Sequence, residues 1–131
     1  MEPVVSRTFS MGPSTPTQAR LFACEAAEAV VDAETAGDLG LLVSELVTNS
    51  VVHGGGASRV RVELELGEQL RVEVTDYGTG FRFRPHQDVG ERGGFGLVLV
   101  QRIAEKWGMT LGDVTHVWFE LPRQSAKQAP L

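Results

Sequence analysis

The chain has 131 residues, of which 42% are hydrophobic and 22% charged, a composition that fits one globular domain and does not suggest disorder. Its net charge of −5, without any basic block, argues against direct binding to nucleic acid. A single cysteine excludes an internal disulfide, and the sequence shows neither a signal peptide nor an apolar run that could span a bilayer, so we expect a cytoplasmic protein without a membrane partner.

The first half of the chain is predicted to form a strand and two helices. Val4 to Phe9 form the strand, which a Gly-Pro-Ser sequence ends. A helix follows from its N-cap at Thr15 to about Val31, with Pro16 at the first helical position and Gln18 completing a capping box. A second helix is predicted from about Thr35 to His53, where three glycines stop it.

The second half begins with a predicted hairpin. Ser58 to Leu66 and Leu70 to Asp76 both alternate between apolar and polar residues, which is typical of paired strands. Tyr77 to Gly94 form a long loop rich in glycine and arginine, and a loop of this length in a compact domain is usually functional or disordered. A third helix is predicted from Phe95 to Trp107, and a last strand from Thr115 to Leu121.

This order of elements predicts the α+β fold class. We expect a two-layer sandwich, in which a mostly antiparallel sheet carries about three helices on one face. Residues 1–122 are predicted to form the single domain, and residues 123–131 a polar, disordered tail.

Polar residues interrupt the apolar side of the second helix. Glu45, Asn49 and His53 follow one another at a spacing of four, which places them on one side of a helix. That side lies beside or within the apolar arc, which consists of Leu39, Leu42, Val43 and Leu46. A buried carboxylate or amide is costly unless it is paired. Glu45 and Asn49 therefore either bind a ligand or bond to loop backbone, whereas His53 is sufficiently explained as a helix-end residue.

A second interruption lies at the end of the hairpin. Asp76 is in phase with the apolar residues of its strand, so the alternation points it towards the buried face. Gly78 and Gly80 follow, and glycines let a backbone approach a flat ligand closely. Asp76 could equally be a turn residue. Thr115 is likewise in phase with the buried residues of the last strand, although a threonine within a sheet is often only structural.

The third signal is the glycine-rich turn before the third helix. Backbone N–H groups at the start of a helix bind phosphate well, and Gly94, Phe95, Gly96 and Leu97 form such a start. Arg92 is adjacent and is the best basic candidate for a phosphate contact.

Together these residues suit Mg-ATP. The Asn49 amide oxygen can bind Mg²⁺, which keeps waters and phosphate oxygens as its other ligands. Asp76 can accept a hydrogen bond from the adenine amine, the glycine-rich turn can donate to phosphate, and Glu45 remains as a possible base.

Three segments resemble, in family order, the motifs of the GHKL (Bergerat-fold) ATPases. The sequence from Glu45 to Gly54 resembles the N box, Asp76 to Gly80 the first glycine box, and Gly94 to Leu97 the second. The resemblance implies that Asn49 holds Mg²⁺, that Asp76 binds adenine with help from Thr115, and that Glu45 activates the attacking group. The further residues it implies as ATP-binding are His53, Gly78, Gly80, Arg92, Gly94, Phe95, Gly96 and Leu97.

Within that superfamily, the chain is most similar to the bacterial anti-sigma factor serine/threonine kinases. The resemblance implies a regulatory protein that binds ATP, captures a sigma factor and phosphorylates an anti-sigma antagonist with a STAS-type domain. It also implies a homodimer, and it makes the first helix, around Arg20 to Val31, a candidate for dimer or partner contact. The segment between Gly80 and Gly94 is shorter than in the better-known kinases, and Gly93 stands where those often carry serine.

Three other interpretations stay open. The first is an ATP-binding partner-switching module without kinase activity. The second is the catalytic module of a histidine kinase, which requires a phosphoacceptor helix that none of His53, His86 and His116 supplies in this sequence. The third is a small α+β protein without a ligand.

Overall fold

The computed structural model describes residues 3–53, 59–77, 95–110, 112 and 114–124. In these ranges the chain forms five strands and three helices. The strands are β1 (Val4–Ser10), β2 (Arg59–Leu66), β3 (Gln69–Asp76), β4 (Lys106–Thr110) and β5 (Thr115–Pro122). The helices are α1 (Thr15–Ala27), α2 (Ala33–His53) and α3 (Phe95–Ile103).

The strands form one antiparallel sheet in the order β1-β2-β3-β5-β4, and the helices cover one of its faces. Alternate residues of each strand point to this covered face, where they pack against the apolar sides of α1 and α2. The largest fully buried side chains include Phe119, Leu39, Leu42, Leu64, Leu70 and Leu121. The predicted α+β two-layer fold is confirmed.

The opposite face of the sheet is polar. The Arg71 guanidinium lies 4.1 Å from the centroid of the Trp118 ring and 3.4 Å from a carboxylate oxygen of Glu120. Thr75 Oγ1 and His116 Nδ1 are 3.0 Å apart on the same face. The apolar residues of the sheet thus lie mainly on the face that the helices cover.

Strand β4 was not predicted. The expected third helix ends at Ile103 instead of Trp107, and a strand of five residues follows. The Glu105 N–H donates to the Glu120 carbonyl at 2.9 Å, which starts the pairing of this edge with β5. Trp107 matches the apolar period of a helix, but it also alternates with Met109 as residues of a strand do. In so short a segment the period alone does not distinguish a helix from a strand.

Two details of the helix ends also differ from the prediction. No side chain caps α1: Thr15 is its first residue and donates its hydroxyl to the Ser10 carbonyl at 2.7 Å, so the expected Thr15 N-cap is wrong. The helix ends at Ala27, four residues before the predicted Val31. Asp32 then caps α2, since its Oδ1 accepts the Thr35 N–H at 2.8 Å.

In the described part of the chain, no helix is long and apolar enough to cross a membrane.

Two hydrogen bonds join Arg123, at the start of the predicted tail, to the domain. The Asp32 N–H donates to the Arg123 carbonyl at 3.0 Å, and the Arg123 guanidinium donates to the Leu66 carbonyl at 3.2 Å. Residues 125–131, which make up most of the predicted tail, lie outside the described residues.

A substitution at Gly108 tests how closely strand β4 packs against Trp118 at the edge of the sheet. A Cβ at this position would lie 2.5–2.9 Å from three atoms of the Trp118 indole. We expect Gly108→Ala to lower the free energy of unfolding by about 1–3 kcal/mol, because overpacking displaces the ring. Urea denaturation measures this change.

Gly37 is the matched control, because it lies on α2 and a Cβ there would meet nothing within 4 Å. Gly37→Ala should raise the free energy of unfolding by about 0.5–1 kcal/mol through helix propensity. A Gly108→Ala protein as stable as the wild type would contradict the close contact with Trp118.

Candidate functional site

A small cavity lies between the helical layer and the ends of the central strands. Its volume is about 40 Å³. Most of the wall is apolar, and the polar groups come from α2, β3 and β5. The lining residues are Leu46, Asn49, Ser50, Val74, Asp76, Leu97, Met109, Thr115 and Val117.

The pairing of β3 with β5 positions Asp76. It lies opposite Thr115 on β5 and opposite Val60 on β2, so strand pairing holds it from both sides. Because alternate residues share a face, Asp76 and Thr115 both point beneath the helices. Asp76 is only 5% exposed. Asp76 also has an interaction partner within the protein.

Helix α2 brings Asn49 and Ser50 to the same cavity. The Ser50 hydroxyl donates to the Leu46 carbonyl at 3.4 Å, a bond within the helix. The Asn49 side chain makes no hydrogen bond to any residue in the described ranges. In this part of the molecule there is no internal partner that would explain the Asn49 amide as a structural group.

Glu45 does not line the cavity. It is half-buried and lies one helical turn before Asn49 on the same side of α2, about 6 Å along the axis. Its side chain likewise makes no hydrogen bond within the described ranges. Glu45 is therefore placed beside the site and not inside it.

The remaining predicted site residues differ in how much of them the structure describes. Leu97 lines the cavity from the first turn of α3, which begins at Phe95 and Gly96. His53 is the last residue of α2, and its side chain is outside what the structure describes. The predicted residues that lie outside the described ranges altogether are Gly78, Gly80, Arg92 and Gly94.

Ser50 and Met109 line the cavity but were missed in the sequence. Ser50 follows Asn49 directly and gave no signal of its own. Met109 was assigned to no element, although its alternation with Trp107 could have indicated a strand with both residues on the buried face.

The size of the cavity limits what enters without rearrangement. A volume of about 40 Å³ is far below the roughly 300–1,000 Å³ that is typical of sites for organic ligands. Met109 is the most adaptable wall residue, because its unbranched thioether side chain can fill or clear irregular space. Entry of a flat ring therefore requires movement of wall side chains such as Met109 and Leu97.

The donor set suits a metal that shares its ligands with phosphate. In the described part of the chain, no three His, Cys, Asp or Glu residues gather into a group that could hold a metal ion. Mg²⁺ commonly takes one or two protein oxygens and completes its shell with water and phosphate. The Asn49 amide oxygen fits this mode of binding.

Comparison with known proteins identifies the family. Residues 12–119 match the family model of the histidine kinase-like ATPase domain. The chain belongs to this family. The predicted GHKL ATPase resemblance is thereby confirmed, and membership implies that the domain binds ATP and is of the kinase type.

Two similar proteins define how far the likeness extends. Over 108 residues the domain is 35% identical to blue-light-activated histidine kinase 2 of Erythrobacter litoralis (strain HTCC2594), an alignment that covers 74% of the chain and 30% of that protein. The crystal structure of the RsbU and RsbW domains of Rv1364c from Mycobacterium tuberculosis shares the fold, with a TM-score of 0.68 and 20% identity over 92% of this chain and 32% of that one. The chain thus spans about a third of either protein.

Asp76 should set the choice of base. Adenine presents an amine to an acceptor, whereas guanine presents a carbonyl at the same position, so we expect ATP to bind more tightly than GTP by about 10⁴-fold. Asp76→Asn should remove most of this preference, because an amide can face either group. Isothermal titration with both nucleotides measures it. Asp38→Asn, on α2 but outside the cavity, is the control, and equal binding of ATP and GTP by the wild type would refute the role.

Asn49 should couple nucleotide affinity to Mg²⁺. We expect Asn49→Ala to weaken ATP binding by about tenfold with Mg²⁺ and much less with EDTA, because a ligand to a charged group is lost. Thr48→Ala is the matched control, since the Thr48 hydroxyl donates to the Ser44 carbonyl and does not reach the cavity. An Asn49→Ala protein that keeps the full Mg²⁺ dependence would exclude Asn49 as the metal ligand.

Proposed function

We propose that this protein is an ATP-dependent anti-sigma factor serine/threonine kinase, which binds a sigma factor and phosphorylates a STAS-type anti-sigma antagonist. The observation that carries the nucleotide site is the meeting of Asn49, Asp76 and Thr115, from three different elements, at one apolar cavity. The fold shared with the chain that contains an RsbW domain supports the architecture on which the proposal depends.

In this proposal the residues around the cavity contact different parts of the nucleotide. Asp76 accepts a hydrogen bond from the adenine amine, with Thr115 beside it. Asn49 holds Mg²⁺, which when bound offsets the negative charge of the phosphates. The glycine-rich start of α3 donates N–H groups to phosphate, and the residues assigned to the rest of the nucleotide are His53, Gly78, Gly80, Arg92, Gly94, Phe95, Gly96 and Leu97.

Glu45 is proposed as the base. The hydroxyl oxygen of the acceptor serine or threonine forms a bond to the γ-phosphorus of ATP while the bond to the bridging oxygen breaks and ADP leaves. Glu45 accepts the hydroxyl proton. Phosphoryl transfer depends mainly on positioning and charge neutralisation, and a half-buried carboxylate one turn from Asn49 is close to the proposed metal site without occupying it.

The wider setting follows from the same proposal. We assign residues 1–122 to one ATP-binding domain and residues 123–131 to a polar tail. The protein acts in the cytoplasm as a homodimer, reaches transcription through the sigma factor and does not touch nucleic acid itself. A variant of the proposal keeps ATP binding and partner switching but has no phosphoryl transfer.

A second candidate is the ATP-binding part of a histidine kinase. The 35% identity to a blue-light-activated histidine kinase favours it. In that case the γ-phosphoryl group would pass to a histidine nitrogen. The two candidates share the nucleotide site and differ in the acceptor.

Transfer of label from γ-³²P-ATP separates these functions. The protein is mixed with Mg-ATP and, in separate reactions, a STAS-type antagonist domain and a histidine-containing dimerisation domain. We expect acid-stable label on the antagonist, as phosphoserine or phosphothreonine gives. We expect Glu45→Gln to reduce the rate by about 10²-fold or more, the usual size of a general-base contribution.

Glu34→Gln is the control, because Glu34 is an exposed carboxylate in the first turn of the same helix. Acid-labile label on the histidine domain alone would establish the second candidate and overturn the first. A stable complex with the antagonist and no label on either acceptor would support the variant without kinase activity.

A further inference from the structure

The walls of the cavity beside Asp76 differ in how firmly the fold holds them. Helix α2 and strands β3 and β5 supply the apolar residues Leu46, Val74 and Val117, which are at most 9% exposed. Strands β3 and β5 are also paired on both sides. These walls belong to the close-packed core, where a displaced side chain leaves a void or a clash. They are therefore fixed.

The remaining wall comes from α3 and β4, through Leu97 and Met109. Both side chains are only partly buried. Leu97 is branched and lies in the first turn of a helix, which limits its rotamers. Met109 is unbranched, has three rotatable bonds and lies on the edge strand of the sheet. Of the side chains that line the cavity, Met109 can therefore leave it with the least disturbance of the core.

The backbone that carries Met109 is held in place. Met109 lies opposite Val117 on β5, and Gly108 lies opposite Trp118. The Trp118 indole covers Gly108 on the open face of the sheet, so closely that a Cβ there would lie 2.5–2.9 Å from three of its atoms. An opening of the cavity at this edge therefore requires a new rotamer of the Met109 side chain and no movement of the strand.

The register also places Met109 next to the residues proposed to bind the base. Val117 and Thr115 alternate to the same face of β5, and Thr115 lies opposite Asp76. Met109, the partner of Val117, is thus about 7 Å along the strand from the level of the Asp76–Thr115 pair. Because the cavity holds only about 40 Å³, a ring beside Asp76 and the side chain of Met109 compete for the same apolar space.

We propose that Met109 is the gate of the base subsite, an inference that rests on the nucleotide site proposed above. The Met109 side chain fills the apolar space in the free protein and turns out of it when a purine enters. Only the molecules with an open gate bind the base, so the closed rotamer lowers the apparent affinity by the open fraction. Asp76 then selects which base is bound, and Met109 sets how tightly it is bound.

NMR of the methionine methyl groups tests this gate without any substitution. Labelling with methyl-¹³C-methionine gives one signal for each of the three methionines. We expect the Met109 signal to shift with adenosine and with ATP, and to stay in place with tripolyphosphate, which has no base. Met11 is the internal control, because it follows β1, at the opposite edge of the sheet from β4.

Two substitutions separate gating from simple packing. Met109→Ala leaves the apolar space open, so its affinity for ATP in isothermal titration should rise by about 3- to 10-fold. Met109→Ile keeps most of the volume and suits a strand, but its branched Cβ restricts χ1, so the affinity should fall by about tenfold. Met11→Ile is the matched control, and its affinity should equal that of the wild type. A structural role alone would lower the affinity in both Met109 variants.

The outcomes distinguish the gate from the function on which it rests. In a wild-type protein that binds ATP, an unshifted Met109 methyl signal would overturn the gate and leave the nucleotide site standing. A change of affinity in the same direction in Met109→Ala and Met109→Ile would do the same. A wild-type protein that binds neither ATP nor adenosine would overturn the proposed function itself.

Discussion

The pairing of β3 with β5 is the constraint on which the site depends. It sets Asp76 opposite Thr115 at the ends of two strands, beneath the helical layer. A carboxylate in this position is costly unless it is hydrogen-bonded. The register fixes which residue occupies it, because a slip of one residue would turn Asp76 out to the polar face and turn Thr75 in. The sheet thereby holds an acceptor at a defined point beside an apolar wall.

Helix α2 adds the second half of the site. Its apolar arc packs into the core through Leu39, Leu42, Val43 and Leu46, and this packing fixes the rotation of the helix. Asn49 then faces the cavity, and Glu45 lies one turn away from it. The sheet supplies the acceptor for the base and the helix supplies the amide for the metal, so the two layers of the fold act on opposite ends of the nucleotide in our proposal.

The sequence predicted the parts that depend on regular periods. Alternation located β2, β3 and β5, and the four-residue spacing placed Asn49 on the inward side of its helix. Prediction from the sequence failed where a short segment fits both the helical and the strand period, as the segment with Trp107 and Met109 does. It also failed at Thr15, where the hydroxyl bonds backward to Ser10 and not forward into the helix. Ser50 could not have been singled out, because its role as cavity lining comes from the tertiary packing of α2 and not from its own sequence.

The most direct measurement is a crystal structure of the protein with Mg²⁺ and a non-hydrolysable ATP analogue. Our account predicts electron density for the adenine ring in the widened cavity, with its amine at hydrogen-bonding distance from the Asp76 carboxylate and the metal on the Asn49 amide oxygen. Nucleotide bound elsewhere, or no nucleotide density at saturating analogue, would contradict it.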